Sequence, residues 1–450
     1  MRFIHAADLH IDSPLRGLAR YDGAPVERLR GATRRALEKL VDLALAQGVD
    51  FVLLAGDIYD RDWQDFHTGL FFREQMVRLG RANVQVFIAH GNHDAQGVIS
   101  RQLSLPPNVT VFSHRKAECI RIESLAVAIH GRSFPDREVS EDLVPGYLDA
   151  VPGYFNIGVL HTSLTGRAGH DTYAPTRVDV LAGKGFDYWA LGHVHVREIV
   201  KQDSPRIVFP GNLQGRHANE SGAKGCELVT VEKGASMSAE FVPLDVVRWS
   251  RLDIDLSGVE RVEAIAPMFH AALDAHLHGA AELLHAVRVN LRGSTVLHAV
   301  EAMSPGTLAA AVQAAAQDVS RAEVWIEQVR LSLTAPIDRS AAAERQDAVG
   351  ELVRLVDAIA ADDAELLRWG DDQLGALKKG MAPELLGNDM PRFDDISTLQ
   401  ALMLDAEATV LARLAAAAAT PASPAPVSPM STRSAEKPAK QPKPVNEDAA

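Results

Sequence analysis

The hydrophobic pattern of residues 1–245 alternates short apolar runs with amphipathic stretches. Eight runs rich in β-branched and aromatic residues predict strands: RFIHAA, DFVLLAG, VQVFIAH, LAVAIHG, FNIGVLH, DYWALGH, RIVFPGN and CELVTVE. Between the first two, ERLRGATRRALEKLVDLALAQG places apolar residues at helical spacing and ends at Gly48, a predicted helix C-cap. This alternation is typical of an α/β layer fold.

The pattern changes after residue 245. A strand–helix–strand–helix–strand order predicts a small α+β domain over residues 246–335. Apolar residues at spacings of three and four predict helices over 336–418, and these either bind another chain or complete the chain's own core or a homodimer. Residues 419–450 have no apolar period and are rich in Pro, Ala, Ser and Lys, which predicts a disordered tail.

The formal charge of −13 is distributed unevenly over the 450 residues. Residues 1–250 carry 28 Lys and Arg against 30 Asp and Glu, whereas residues 251–450 carry 18 against 29. The charge therefore neither excludes a polyanionic substrate nor supports one. Two distant cysteines argue against a zinc ribbon or a disulfide framework. With no signal-peptide pattern and no apolar stretch near ~20 residues, we expect a soluble, cytoplasmic protein that does not associate with a membrane.

Side chains of the types that bind metal ions follow five of the predicted strands. They are Asp8, His10, Asp57, Asp60, Asn92, His93, Asp94, His161, His193 and His195. An Asp-x-His after a strand, or a pair of histidines one residue apart, is by itself more often a capped loop or a surface pair than a set of metal ligands. Because the carboxyl ends of strands in open α/β sheets meet at one edge, the whole set predicts a single site.

The donor types indicate the chemistry of this site. Carboxylate, imidazole and amide oxygen without thiolate suit Mn²⁺, Fe²⁺ or Zn²⁺ and do not single out one of them. The ligand candidates are too many for one ion and suit two. Two metals clamp the attacking and leaving oxygens of a displacement at phosphorus, so the sequence predicts a phosphoryl-transfer site.

The motifs DLH, GDIYD, GNHD, LHTS and GHVH resemble those of the calcineurin-like metallophosphoesterases. IHAADLHIDSPLRGL, GNHDAQG and FPGNLQGRH narrow the resemblance to DNA repair exonucleases of the SbcD/YhaO type. The resemblance covers residues 1–245 and implies a β-sandwich flanked by helices. Beyond that it rests on layout alone and implies a capping domain followed by helices that dock on a partner.

Carried over residue by residue, the resemblance assigns two divalent metal ions, Mn²⁺ with Fe²⁺ or Zn²⁺ as alternatives. Asp8, His10 and His195 would hold one ion, Asn92, His161 and His193 the other, and Asp57 would bridge them. His93 would face the scissile phosphate as a catalytic residue, and Asp94 would orient it. Arg216 and His217 stay outside the predicted catalytic set.

The resemblance further implies a manganese-dependent DNA exonuclease or endonuclease that works in repair with an SMC-like coiled-coil ATPase and forms a homodimer. The chain has no phosphate-binding loop, so ATP hydrolysis would come from that partner. The alternative is a phosphodiesterase or phosphatase for a small, nucleotide-like substrate. One departure bears on this choice: Asp60 stands where many family nucleases have a histidine. Asp60 would be either a hydrogen-bond acceptor for a ligand histidine or a helix N-cap.

Overall fold

The computed structural model describes residues 1–13, 23–60, 66–95, 104–165, 173–232, 236–336, 339–380 and 395–419. The chain divides into two compact units, Met1–Pro336 and Ile337–Ala450. The PLRGL part of the first motif lies outside the described residues, as does the predicted tail apart from Ala419. Within the described part, no helix combines the length and the apolar character needed to cross a bilayer.

Two six-stranded mixed sheets form the first part of unit one. In spatial order, the first sheet contains β12 (Met237–Pro243), β11 (Gly225–Val231), β1 (Arg2–Ala6), β2 (Phe51–Leu54), β3 (Gln85–Ile88) and β4 (Val109–Val111). The second contains β5 (Glu118–Ile122), β6 (Val127–Gly131), β7 (Phe155–His161), β8 (Tyr188–Gly192), β10 (Arg206–Phe209) and β9 (Glu198–Lys201). Strands β1 to β4 are parallel to one another, as are β6, β7, β8 and β10.

The central strands are buried on both faces, which explains their nearly continuous apolar sequences. Phe3, Phe51 and Tyr188 belong to the core between the two sheets, where the rings of Phe3 and Phe51 stack at 5.0 Å. The next residue along β1, Ile4, faces the opposite way and packs in the core beneath the helices. The predicted β-sandwich flanked by helices is confirmed.

The helices of this part are α1 (Val26–Arg30), α2 (Ala32–Gln47), α3 (Phe66–Arg81) and α4 (Val178–Gly183). Helices α2, α3 and α4 pack against the outer faces of the sheets, whereas Leu29 of α1 packs with Trp249 and Trp325. Gly48 ends α2 in the left-handed conformation with φ 57°, as predicted for a C-cap. The predicted single helix is interrupted at Gly31, which caps α1 and precedes α2.

A smaller parallel sheet completes unit one. It pairs β13 (Val247–Asp255), β14 (Leu284–Ser294) and β15 (Glu323–Thr334) in that order, with α5 (Ile265–Leu277), α6 (Leu297–Met303) and α7 (Thr307–Gln317) in the crossovers. Its core joins α5 and α7 to the sheet through residues such as Phe269, Val289 and Val312. The predicted order of strands and helices is found, and all three strands are parallel.

Unit two is helical throughout its described residues. It contains α8 (Arg339–Ala343), α9 (Ala348–Ala360), α10 (Asp363–Gly380) and α11 (Ile396–Ala419). Asp347 caps α9 by accepting hydrogen bonds from the backbone N–H groups of Val349 and Gly350. A small core centred on Leu366 and Leu399 joins the helices.

Candidate metal centre

The carboxyl ends of strands from both sheets meet at one edge of the sandwich. Gly192, at the end of β8, makes this possible because a Cβ atom there would lie 1.7 Å from the carbonyl oxygen of Ala55, which follows β2. The next residue, His193, donates its backbone N–H to the carboxylate of Asp8 at 3.0 Å. The predicted site residues of the two sheets therefore face each other across this contact.

The first group of donors joins the ends of β1 and β8. One ligand atom from each of Asp8, His10 and His195 lies within 4.8 Å of the others. The Nε2 atoms of His10 and His195 are 3.2 Å apart. His195 turns its Nδ1 to the carboxylate of Glu220 at 2.8 Å, so this contact favours the tautomer that carries the hydrogen on Nδ1 and the lone pair on Nε2.

The second group of donors joins the ends of β1, β2, β3 and β7. Asp8, Asp57 and His161 bring ligand atoms within 4.8 Å of one another. His161 donates from Nδ1 to the carbonyl oxygen of Ala55 at 2.9 Å, which leaves Nε2 free to ligate. Nε2 lies 3.0 Å from Asn92 Oδ1 and 3.5 Å from Asp57 Oδ2. His193 lies beside it, with ring centroids 5.2 Å apart.

The backbone is strained where these ligand candidates stand. Asp8, His10, Asp57 and His193 all have positive φ, at 52°, 43°, 53° and 104°. Such conformations cost non-glycine residues of order 1–3 kcal/mol each and persist where the surroundings enforce them. The backbone conformation therefore lowers the stability of the fold at four of the residues that the sequence predicts as metal ligands.

The electrostatics favour bound cations. Burial, reinforced by the nearby charge of Asp57, raises the pKa of Asp8 well above its usual range. Burial also acts to raise the pKa of Asp57. The charges of His161, His93 and His10 act in the opposite direction and outweigh burial, so the net pKa of Asp57 is low. Burial and the Arg216 guanidinium lower the pKa of His10 to about 3, so its ring is neutral at pH 7. Two crowded carboxylates and converging imidazole lone pairs fit divalent metal ions.

His93 lies beside the first donor group, with its ring centroid 4.8 Å from that of His10. The partner of its ring differs from the prediction. Asp94 accepts hydrogen bonds from the backbone N–H groups of Ile58, Tyr59 and Gly91, because the tight loops there need a buried acceptor. Asp60 is the carboxylate that lies 2.7 Å from His93 Nδ1.

Asp60 also lies 3.4 Å from His10 Nδ1 and accepts a hydrogen bond from Ser13. These distances fit the first of the two alternatives for Asp60, an acceptor beside a ligand histidine.

Sequence reasoning missed Glu220, which has no partner spacing that would mark it. It also left out Arg216, which the structure places among the site residues. Arg216 Nη2 lies 2.8 Å from Glu220 Oε1 and 3.3 Å from His195 Nδ1, and Nη1 lies 3.8 Å from Asp60 Oδ2. His217 is half-exposed and 3.7 Å from Glu220. Only contacts between distant segments reveal these residues.

A two-sheet sandwich with a strand-end cluster of carboxylates and imidazoles defines a metal-dependent phosphoesterase. Residues 1–197 match the calcineurin-like phosphoesterase family, and residues 249–334 match the middle domain of metallophosphoesterase YhaO. The chain thus carries a calcineurin-like phosphoesterase domain followed by a YhaO-type middle domain. These matches confirm the predicted resemblance to the calcineurin-like metallophosphoesterases.

Curated relatives match 58% to 60% of the chain. The uncharacterized metallophosphoesterase YhaO of Bacillus subtilis is 35% identical over 271 residues, which are 60% of this chain and 66% of that protein. The DNA double-strand break repair protein Mre11 of Methanopyrus kandleri is 25% identical over 58% of this chain and 59% of its own length. Mre11 of Archaeoglobus fulgidus is 23% identical over 58% of this chain and 63% of its own length. The chain spans less than two thirds of the length of these relatives.

Proposed function

We propose that this chain is a manganese-dependent DNA nuclease, an exonuclease or endonuclease of DNA repair that works with an SMC-like coiled-coil ATPase. The convergence of carboxylates and imidazoles from five strand ends at one edge of the sandwich carries the phosphodiesterase part. The DNA part is supported by the similarity to two Mre11 proteins, whose names state double-strand break repair.

In this proposal seven residues hold two metal ions. The ligands of the first ion are Asp8, His10 and His195, those of the second are Asn92, His161 and His193, and Asp57 serves both. When bound, the ions supply Lewis acidity that lowers the pKa of water and neutralises charge on the phosphoryl oxygens. The distances of Asp57 Oδ2 to His161, 3.5 Å, and to His10, 3.8 Å, support its place between the groups.

His93 is the proposed catalytic residue of the chain itself. The carboxylate of Asp60 lies 2.7 Å from Nδ1 and holds the ring in this proposal, which leaves Nε2 to hold a proton for the leaving oxygen of the phosphodiester. Asp94 contributes by holding the loops after β2 and β3 together through three backbone N–H groups. His93 also donates its backbone N–H to Asp57 at 2.9 Å, which ties the proton donor to the metal ligands.

The second candidate function is hydrolysis of a small nucleotide-like phosphodiester or phosphomonoester. Asp60 favours it, because this carboxylate replaces a histidine that many nucleases of the family have at this position. The two functions use the same metal clamp, so only the substrate distinguishes them.

The test uses protein purified without metal and supplied with Mn²⁺ or Mg²⁺. End-labelled single- and double-stranded DNA and bis-p-nitrophenyl phosphate serve as substrates. We expect Mn²⁺-dependent shortening of DNA, with the labelled end revealing the polarity. Hydrolysis of the small diester alone, with DNA unchanged even in the presence of the ATPase partner, would favour the second candidate function.

For the domains we propose the limits 1–245, 246–335, 336–418 and 419–450, with the partner bound by 336–418. The support is the surface of the helices in unit two. Leu355 on α9 and Leu404 on α11 expose 57% and 42% of their surfaces, although the helices already share an apolar core. Large apolar side chains left at a helical surface are typical of protein interfaces.

Replacing Leu355 and Leu404 together by glutamate is expected to abolish co-purification with the coiled-coil ATPase. The exposed positions leave the core of the unit intact, whereas a carboxylate in an apolar interface is costly to desolvate. The matched control is Leu148→Glu, since Leu148 is 50% exposed in unit one. Unchanged co-purification of the double variant would mean that these helices complete the chain's own core or a homodimer.

A further inference from the structure

Glu220 is a buried carboxylate that contacts Nδ1 of the proposed ligand His195. Only 5% of the residue is exposed, and both oxygens of its carboxylate are fully engaged. Oε1 lies 2.8 Å from His195 Nδ1 and 2.8 Å from Arg216 Nη2. Oε2 accepts hydrogen bonds from Asn212 Nδ2 at 2.9 Å and from the backbone N–H of Arg216 at 2.8 Å.

These contacts determine how His195 is presented. Because a carboxylate accepts hydrogen bonds only, His195 must carry a hydrogen on Nδ1 and direct its Nε2 lone pair away from Glu220. That Nε2 lies 3.2 Å from Nε2 of His10. A carboxylate that orients a ligating imidazole in this way also raises the basicity of the ligating nitrogen.

Arg216 lies between Glu220 and Asp60. One end of its guanidinium is held by Glu220, and Nη1 lies 3.8 Å from Asp60, the carboxylate beside His10 and His93. The guanidinium balances the charge of both carboxylates, so neither is buried without a counterion.

The loop that carries Arg216 and Glu220 is held by the middle domain. Trp249 on β13 donates from Nε1 to the carbonyl oxygen of Gly215 at 2.9 Å, and Arg251 donates to that of Ala218 at 3.0 Å. Gln214 donates to the carbonyl oxygen of Val247 at 2.6 Å. Gly215 is enclosed, since a Cβ atom there would lie 2.7 Å from the carbonyl oxygen of Glu220.

We propose that Glu220 is a positioning residue of the metal centre, which holds His195 in its ligating orientation and is itself held in place by strand β13 of the middle domain. The proposal rests on the proposed role of His195 as a metal ligand. It makes the middle domain a structural part of the metal centre.

The main test compares metal binding by wild type, Glu220→Gln and His195→Ala. Mn²⁺ is titrated calorimetrically into metal-free protein, and Co²⁺ is titrated with visible absorption as the readout of coordination. Glutamine has nearly the shape of glutamate but lacks its charge, so we expect one of the two ions to bind about 10- to 100-fold more weakly. The second ion should bind as in the wild type.

The control is Glu327→Gln. Glu327 forms a buried ion pair with Arg288, with two contacts of 2.7 Å, but it touches none of the proposed ligands. This variant should lose stability without weakening either ion. Equal weakening in both glutamine variants, or wild-type binding by Glu220→Gln, would overturn the proposal. If His195→Ala also kept both ions, the ligand assignment itself would be wrong.

Trp249→Phe tests the contribution of the middle domain. It removes the hydrogen bond to Gly215 and keeps an aromatic ring in the interface. We expect the same ion to bind a few-fold more weakly, because the loop is less firmly placed. Wild-type affinity in this variant would overturn the part of the proposal that concerns β13.

Discussion

Replacing His93 by alanine is expected to lower kcat for a phosphodiester about 10²- to 10⁴-fold, the range for loss of a general acid. The protein should still bind its metal ions, because no proposed metal ligand is removed. The structural reason is the position of the ring between the carboxylate of Asp60, 2.7 Å from Nδ1, and the first donor group. The measurement is kcat on bis-p-nitrophenyl phosphate at saturating Mn²⁺, together with metal analysis.

Two comparisons sharpen this result. His114→Ala removes an exposed histidine and should leave kcat unchanged. Asp60→Asn should lower kcat by less than His93→Ala, and it should have little further effect when His93 is already alanine, because Asp60 would act through that ring. Full additivity of the two substitutions would mean that Asp60 acts independently, and normal kcat of His93→Ala would remove His93 from catalysis.

Replacing Asp57 by asparagine is expected to reduce the bound metal from two ions to one or none. Activity should fall at least about 10³-fold, which corresponds to a loss of several kcal/mol of charge stabilisation. The carboxylate of Asp57 lies 3.5 Å from His161 and 3.8 Å from His10, so it reaches proposed ligands of both ions. The amide keeps the shape of the side chain but not the charge that would bind the cations.

The stability of this variant distinguishes lost metal from lost structure. Asp57 is buried beside Asp8, but its net pKa is low because the nearby histidines and the His93 backbone N–H outweigh the effect of burial, so its charge contributes some stability to the metal-free protein. We expect the metal-free variant to unfold somewhat below the temperature of the wild type, whereas added Mn²⁺ should raise the unfolding temperature of the wild type far more than that of the variant.

The control for Asp57→Asn is Asp187→Asn, at the opposite end of β8, where Asp187 accepts a hydrogen bond from the backbone N–H of Asn156. This control should keep both ions. A large drop in the unfolding temperature of metal-free Asp57→Asn would indicate a structural role for Asp57 instead.

The eight strands predicted from apolar runs are all found, and the four that were not predicted share one property. They are the edge strands of the two sheets: β4, β5, β9 and β12. An edge strand is covered on fewer sides, so its residues are half-buried or exposed and include polar side chains. The apolar signal on which sequence reasoning depends is weakest in such strands.

The sequence by itself determined the fold class, the order of the central strands and the residues that end them. This was possible because buried strands need continuous apolar runs, and because ligand side chains that interrupt such runs are conspicuous. His10, His161 and His195 could therefore be predicted from their shared position at the ends of strands.

The tertiary structure decided which groups orient these side chains. Asp60 lies 2.7 Å from His93 Nδ1, whereas Asp94 accepts hydrogen bonds from backbone N–H groups, and Glu220 lies against His195. A carboxylate between two turns has the same local sequence pattern whether it binds backbone N–H groups or a distant imidazole. The choice depends on contacts between residues 25 or 33 positions apart, which only the folded chain brings together.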